Sequence, residues 1–134
     1  ENSDEIKKII YKFNNNIEIF DTNYEIQNLN ELDINSNYLI FSGIGDPKSF
    51  KEILLENNIK VVKEIIFPDH YNFKKKDIKN IVEESNKLNA KILTTEKDFT
   101  RLSDDDAKRI NFLKIELKII NEKKLIDFLN DKLN

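Results

Sequence analysis

Three short polar segments hold the residue types of this sequence that could do chemistry. Residues 42–47 (SGIGDP) contain both glycines of the chain, residues 67–71 (FPDHY) contain its only histidine, and residues 94–98 (TTEKD) place a lysine between two acids. Imidazole, carboxylate and ammonium groups are common agents of proton transfer and phosphate binding. Each segment follows a run of apolar residues, which predicts that all three are loops at the ends of strands.

The histidine segment leaves a strand predicted over residues 60–67. The β-branched residues of this run favour an extended and buried strand, and Pro68 ends it because proline has no backbone N–H to donate. Asp69 and His70 then lie at the carboxyl end of the strand. His70 is either a surface residue beside a turn capped by Asp69, or a functional imidazole that exchanges a proton near neutral pH.

The glycine segment places Gly43 and Gly45 two residues apart. Such glycines indicate either backbone angles that other residues cannot reach or a backbone closely approached by another group. Asp46 and Pro47 are a typical helix cap and first helical residue. The third glycine of a G-x-G-x-x-G fingerprint is missing, so the evidence for a dinucleotide site is weak. A turn needed only for folding is the alternative.

The third segment combines Thr95, a candidate cap, with Glu96, Lys97 and Asp98. These charges are either solvated surface or part of a polar cluster with the other two segments. An acid, a base and a second acid beside an imidazole could handle phosphate or transfer protons.

From residue 38 onward, apolar runs alternate with helical patterns. This alternation predicts a three-layer, Rossmann-like α/β fold with a mainly parallel sheet and helices on both faces. In such a sheet the strand-to-helix loops share one edge, where ligands bind near the point at which the strand order reverses. Strands are predicted at 38–41, 60–67, 91–95 and, edge-like, 112–120, and helices at 49–57, 77–88, from Asp104, and at 123–133.

Residues 1–37 are less informative. A helix capped by Ser3 or Asp4 is predicted to end at residues 14–16, followed by a short strand at 17–20 and at most one more strand before residue 37. With no long linker and no internal repeat, we expect residues 1–134 to form a single α/β domain. Because the first residue is Glu1, we expect this domain to be a piece of a longer protein.

Composition excludes several classes of function. The net charge is −3 with interleaved signs, so no basic face for nucleic acid is expected. The chain has no cysteine and one histidine, which excludes a disulfide framework, thiolate chemistry and a His-rich metal site. No apolar run approaches the ~20 residues that span a bilayer, so we expect this segment itself to be soluble.

Taken together, FSGIGDPKSF, IIFPDHYNF and ILTTEKDFTRL resemble the carboxyl-terminal domain of tetraacyldisaccharide 4'-kinase, the lipid A kinase of Gram-negative bacteria. The resemblance covers residues 38–102. It implies transfer of the γ-phosphoryl group of ATP, with Mg²⁺, to the 4'-hydroxyl of a tetraacyldisaccharide 1-phosphate at the cytoplasmic face of the inner membrane. It also implies a two-domain enzyme with its active site in the cleft between a P-loop domain and this smaller domain.

The resemblance also implies roles for individual residues. His70 matches a histidine that faces the cleft and is thought to work with an aspartate of the P-loop domain, so we expect it to assist deprotonation of the sugar hydroxyl, with Asp69 and Tyr71 holding the loop. Predicted nucleotide or cleft contacts are Gly43, Gly45, Thr95, Glu96, Lys97 and Asp98, and no metal ligand is assigned.

The sequence contains no G-x-x-x-x-G-K-[ST] motif, so we expect ATP and Mg²⁺ to be bound mainly by a P-loop domain that this chain lacks. The expected partners are that domain and the lipid A disaccharide precursor, with membrane contact only through the missing half. The chain alone is predicted to be inactive. Two alternatives stay open: a stand-alone nucleotide or sugar-phosphate binding module, and an interaction domain whose loops only fold.

Overall fold

The computed structural model describes residues 2–133 of the chain, which fall into two compact units. The larger unit is Ile26–Ile115, and the smaller combines the residues up to Glu25 with those from Glu116 onward. All three polar segments lie in the larger unit. A single domain over residues 1–134 stays a prediction, and Glu1 and Asn134 lie outside the described residues.

The described residues form helices and strands, with a short 3-10 helix at Leu29–Glu31 between the first two strands. In chain order the elements are α1 Asn2–Phe13, β1 Thr22–Ile26, β2 Asn37–Ser42, α2 Pro47–Glu56, β3 Lys60–Ile66, α3 Lys75–Lys87, β4 Lys91–Thr95, α4 Glu96–Phe99, α5 Asp104–Ala107, β5 Ile110–Leu113, β6 Ile115–Ile119 and α6 Glu122–Leu133. From β2 to α4 the described strands and helices alternate along the chain, whereas α4 and α5, and then β5 and β6, follow one another directly.

Within the larger unit, four of the described strands form a sheet in the order β3-β2-β4-β5, and all three pairings are parallel. The chain enters this sheet at β2, continues to β3 on one side, and crosses back to β4 on the other. The strand order therefore reverses between β2 and β4. This is the place where an open α/β sheet normally binds its ligand.

The sheet separates two apolar layers because successive residues of a strand point to opposite faces. Tyr38 and Ile40 of β2 pack with Leu54 of α2 on one face. Leu39 of β2 packs with Ile81 of α3 on the other. The prediction of a three-layer α/β fold with helices on both faces is confirmed.

The strand that precedes the histidine is not buried as predicted. β3 is at the end of the sheet with only β2 as a neighbour, and its Val62 and Ile66 are 45% and 58% exposed. The buried strands are β2, from Tyr38 onward, and β4, from Ile92 onward. β-branched composition predicts an extended strand but cannot tell an edge strand from a central one.

Three predicted boundaries are also wrong. The run at 112–120 is divided at Lys114 into β5 and β6, which belong to different sheets. No strand forms at 17–20, and the early strand is β1 instead. Asp77 does not begin α3: it lies in the first turn, and its carboxylate accepts the backbone N–H of Lys74 at 2.9 Å, which caps a helix that starts at Lys75.

The smaller unit contains α1, α6 and a two-stranded sheet of β1 and β6. An ion pair of 2.6 Å joins Lys7 to Asp21, and the rings of Phe20 and Phe128 lie 5.5 Å apart. The bond to Lys7 lowers the pKa of the Asp21 carboxyl group.

None of the helices described between residues 2 and 133 combines the length and apolar character needed to cross a membrane.

Adjacent leucines of α2 allow the packing of the sheet to be tested. Leu54 is fully buried under the sheet, whereas Leu55 is 50% exposed. We expect Leu54→Ala to lower the free energy of unfolding by about 2–5 kcal/mol, because it removes buried methyl groups and leaves a cavity. Leu55→Ala should change it by less than about 0.5 kcal/mol. Urea unfolding followed by circular dichroism measures both, and equal losses would contradict the assigned face of α2.

Candidate active site

The three polar segments meet at the carboxyl edge of the parallel sheet. They follow β2, β3 and β4, which are neighbours in the sheet, and β2 and β4 border the point of strand reversal. The parallel direction of the strands brings together residues that are more than fifty positions apart in the sequence, such as Gly43 and Asp98.

The buried carboxylate of Asp98 joins the first and third segments. Its Oδ2 accepts the backbone N–H of Gly43 and the hydroxyl of Thr95, both at 2.9 Å, and its Oδ1 lies 3.5 Å from Nη1 of Arg101. The Asp98 side chain is fully buried. An ionised carboxylate is stable in such a place only when donors and a positive charge compensate the lost water. Asp98 therefore fixes the glycine loop to the end of β4.

Close approach at Gly43, and not backbone angle, calls for glycine in this segment, since neither glycine has a positive φ. A Cβ atom on Gly43 would lie 3.2 Å from the carbonyl oxygen of Pro68 and 3.5 Å from Oδ1 of Asp98. A Cβ atom on Gly45 would lie 3.3 Å from Oδ2 of Asp69. The two glycines thus let the first segment lie directly against the histidine segment.

His70 has a strained backbone at the tip of its loop. Its φ angle is 130°, a region that side chains other than glycine rarely adopt, and its N–H donates to the carbonyl oxygen of Pro68 at 2.8 Å. Such strain costs on the order of 1–3 kcal/mol and persists only where the surrounding structure holds it. The imidazole is exposed, and its Nδ1 lies 2.8 Å from Nη2 of Arg101.

An aromatic cluster supports the histidine loop. Phe73 packs edge-to-face on Phe41 of β2 and on Phe67, with ring centres 5.3 and 5.2 Å apart, and Tyr71 stacks on Phe67 at 4.9 Å. A hydrogen bond to the Asp77 carboxylate raises the pKa of Tyr71. These contacts hold the loop as predicted for Tyr71. Asp69 is exposed and lies against Gly45.

The remaining predicted contacts differ in their surroundings. Thr95 is buried and caps α4, since its hydroxyl accepts the N–H of Asp98 at 3.1 Å. Glu96 and Lys97 are exposed, and their side chains form no hydrogen bond or ion pair with any other described residue. Their predicted role as nucleotide or cleft contacts stays a prediction.

Arg101 is the residue of this site that sequence reasoning missed. It lies three positions after Asp98, so the turn that follows α4 brings its guanidinium back to the carboxylate. The i, i+3 spacing of the opposite charges of Asp98 and Arg101 could have predicted this ion pair from the sequence. The contact with His70, 31 positions away, could not be read from spacing.

The residues present fit ATP and Mg²⁺ only in part. The N-terminus of α2, a normal place for phosphate, is occupied by the Asp46 carboxylate, which accepts the N–H of Ser49 at 3.1 Å. Hydrogen bonds from Ser49 lower the pKa of Asp46, so the negative charge persists there. The exposed side chains of His70 and Lys97 are the groups of this edge that could donate an N–H to an anion. Across residues 2–133, no group of three His, Cys, Asp or Glu side chains is arranged to hold a metal ion.

A parallel α/β sheet with polar loops at its point of strand reversal places this chain among the α/β domains that bind ligands at that edge. The sequence model of the family "tetraacyldisaccharide-1-P 4'-kinase", LpxK, matches residues 2–134. The chain therefore belongs to the tetraacyldisaccharide 4'-kinase family, and the resemblance seen in its three segments is confirmed.

Individual relatives agree with this assignment. The chain is 43% identical over 124 residues to tetraacyldisaccharide 4'-kinase of Pelagibacter ubique, a match covering 92% of this chain and 40% of the relative. It is 36% identical over 104 residues to the Rickettsia akari enzyme of the same name, covering 78% of this chain and 30% of the relative. The chain thus spans less than half the length of these curated relatives.

A solved structure shows the same fold. LpxK from Aquifex aeolicus, crystallised in complex with ATP, superposes with a TM-score of 0.54 at 22% sequence identity, over 94% of this chain and 44% of that one.

The crowding at Gly43 predicts unequal effects of alanine at the two glycines. In Gly43→Ala the new methyl group meets a backbone carbonyl and a buried carboxylate, which cannot move freely. We expect a loss of about 1–3 kcal/mol in the free energy of unfolding. In Gly45→Ala it meets only the exposed Asp69 side chain, so we expect a change of less than about 0.5 kcal/mol. Urea unfolding measures both, and an equal or larger loss in Gly45→Ala would contradict the close packing at Gly43.

The strained φ of His70 predicts that glycine is more stable than alanine at this position. We expect His70→Gly to exceed His70→Ala by about 1 kcal/mol or more in free energy of unfolding, because only glycine adopts φ near 130° without strain. Asn72, exposed on the same loop without a positive φ, is the matched control, and there glycine should give no gain. Thermal or urea unfolding of the four variants makes the comparison. Lower stability of His70→Gly than of His70→Ala would rule out the strained conformation.

Proposed function

We propose that this chain is the carboxyl-terminal part of an ATP-dependent kinase that phosphorylates the 4'-hydroxyl of tetraacyldisaccharide 1-phosphate in lipid A biosynthesis. The observation that carries the proposal is the meeting of the three polar segments at the ligand-binding edge of the sheet in a member of this kinase family. Kinase activity, lipid A biosynthesis and ATP binding are the properties that the family name and the ATP complex of the Aquifex protein support.

The edge described here supplies only part of what phosphoryl transfer requires. Catalysis of this transfer depends on positioning and on charges that stabilise the transferred group. ATP would supply the γ-phosphoryl group, and Mg²⁺ would neutralise charge on it. This chain has neither a P-loop motif nor a cluster suited to Mg²⁺ within residues 2–133. We therefore propose that a P-loop domain of the same kinase binds most of the nucleotide and the metal, and that the chain alone is inactive.

In this proposal the histidine loop faces the reacting groups. The exposed imidazole of His70 is the group that could exchange a proton with the sugar hydroxyl or donate a hydrogen bond to phosphate. Lys97 adds an exposed positive charge at the same edge. Gly43 and Gly45 lie against the histidine segment, which would bring the backbone of the first segment and His70 together toward a nucleotide or the partner domain. The acceptor would be reached at the cytoplasmic face of the inner membrane, with membrane contact through the remaining part of the kinase.

A kinase assay of the complete protein, this chain joined to the remainder that its relatives possess, tests the proposal. We expect it to phosphorylate the tetraacyldisaccharide 1-phosphate with ATP. His70→Ala should lower kcat by about a hundredfold or more with little change in KM, because general acid–base and charge-stabilising groups act on that scale. Asn72→Ala, exposed on the same loop, is the control and should retain normal kcat.

The outcomes separate the alternatives. Absence of phosphorylation by the complete wild-type protein would overturn the kinase proposal. Calorimetric binding of ATP or a sugar phosphate by the 134-residue chain would then favour the stand-alone binding module. Normal activity of His70→Ala would retain the kinase but exclude His70 from the reaction.

A further inference from the structure

Resting on the proposed kinase function, we propose that Arg101 is a positioning residue that fixes the protonation form of His70. The observation is a continuous chain of contacts from a buried carboxylate to an exposed imidazole. Asp98 Oδ1 lies 3.5 Å from Arg101 Nη1, and Arg101 Nη2 lies 2.8 Å from His70 Nδ1.

The direction of the second contact follows from the chemistry of its partners. A guanidinium group stays protonated in proteins and has only N–H donors, so it cannot accept a hydrogen bond. At 2.8 Å from Arg101, Nδ1 of His70 must therefore be the acceptor and carry no proton. In the neutral ring the one remaining proton is then on Nε2.

The form of the ring decides what His70 can do. Because Nδ1 is occupied by Arg101 and Nε2 carries the proton, the ring offers a donor to the cleft and has no free lone pair. Among the described residues, the contact with Arg101 is the only hydrogen bond that the ring makes. His70 thus donates from Nε2 to an anionic oxygen. In this proposal His70 acts as a hydrogen-bond donor, and the deprotonation of the sugar hydroxyl predicted from the sequence would fall to another group.

The position of Arg101 is itself well determined. Its side chain is 22% exposed and is paired with a carboxylate that is 0% exposed. That carboxylate is held by Gly43 and Thr95. Only the planar guanidinium can present separate nitrogens to the carboxylate and to the imidazole at once, whereas a lysine ammonium is a single point of charge. The strained backbone conformation of His70 places its ring within hydrogen-bond distance of the Arg101 guanidinium.

The anionic oxygen has two possible sources, a phosphate of the nucleotide or a carboxylate of the remaining part of the kinase. Both would accept a hydrogen bond from Nε2 and both are expected at a phosphoryl-transfer site. The bound nucleotide distinguishes them, because only a phosphate acceptor arrives with it.

Ring nitrogen NMR of the complete kinase tests the assignment directly. In a two-bond ¹H–¹⁵N spectrum of ¹⁵N-labelled protein, the His70 signals are those lost in His70→Ala. We expect the wild type to show a protonated Nε2 and an unprotonated Nδ1 above neutral pH. In Arg101→Lys we expect a mixture of the two neutral ring tautomers instead of this single form. The Nε2 nitrogen resonance should shift on addition of β,γ-methylene-ATP if the acceptor is a phosphate, and stay unchanged if it is a carboxylate.

Kinetics of the same variants provide a second readout. We expect Arg101→Lys to lower kcat by about tenfold to a hundredfold with little change in KM, the scale on which a misplaced reacting group slows an enzyme. Arg109→Lys is the matched control, because Arg109 precedes β5 at the opposite edge of the parallel sheet. It should leave both the spectrum and kcat unchanged. Unchanged unfolding of Arg101→Lys in urea would exclude a loss of fold as the cause.

Each contrary result has a separate meaning. A proton on Nδ1 in the wild type, or an unchanged spectrum and kcat in Arg101→Lys, would overturn the role of Arg101. Absence of phosphorylation by the wild type would overturn the kinase proposal instead, and the ring spectrum would still decide whether Arg101 fixes the imidazole.

Discussion

The buried carboxylate of Asp98 is the constraint on which the arrangement of the candidate site depends. A carboxylate removed from water must be compensated by donors, and here these come from Gly43, Thr95 and Arg101. Gly43 belongs to the loop after β2, and Thr95 caps α4, the short helix after β4. Arg101 extends from Asp98 to the imidazole of His70. A single buried carboxylate thereby links the glycine loop, the end of β4 and, through Arg101, the imidazole of His70.

Two sets of contacts hold the histidine loop: apolar packing of its aromatic rings, and the contact of His70 with Arg101 in this charged network. The rings of Phe41, Phe67, Tyr71 and Phe73 anchor the loop to β2 and to the start of α3. This support explains how His70 can retain a backbone angle that is unfavourable for its side chain. Backbone strain at a single exposed residue is typical of functional sites, where the position of a side chain is maintained at a cost in stability of the fold.

The edge of the sheet provides donors and positive charge but little that could carry a nucleotide alone. The helix N-terminus nearest the glycine loop is occupied by Asp46, and the exposed donors are few. Under the proposed function, a second surface from the remaining part of the kinase would complete the site. This agrees with a chain that spans less than half of its relatives' length.

Local signals were sufficient for much of the fold. Alternating apolar runs and helical patterns predicted β2, β4, α2 and α3 within a few residues, because these elements follow from hydrophobic periodicity and capping. The exposure of β3 was missed because an edge strand and a central strand have the same local composition. The break at Lys114 was missed because the choice between two sheets is made by pairing partners, and these are distant in sequence.

The sequence by itself determined the α/β class, the three polar loops at one edge, and the family to which their motifs point. It also indicated that the two glycines serve a special purpose, but left open whether this was backbone angle or close approach. Only the tertiary structure decided that the purpose is close approach, that Asp98 is buried, and that Arg101 bonds to His70. Burial and pairing depend on which segments meet across the sheet, and no local pattern of residues encodes those distances.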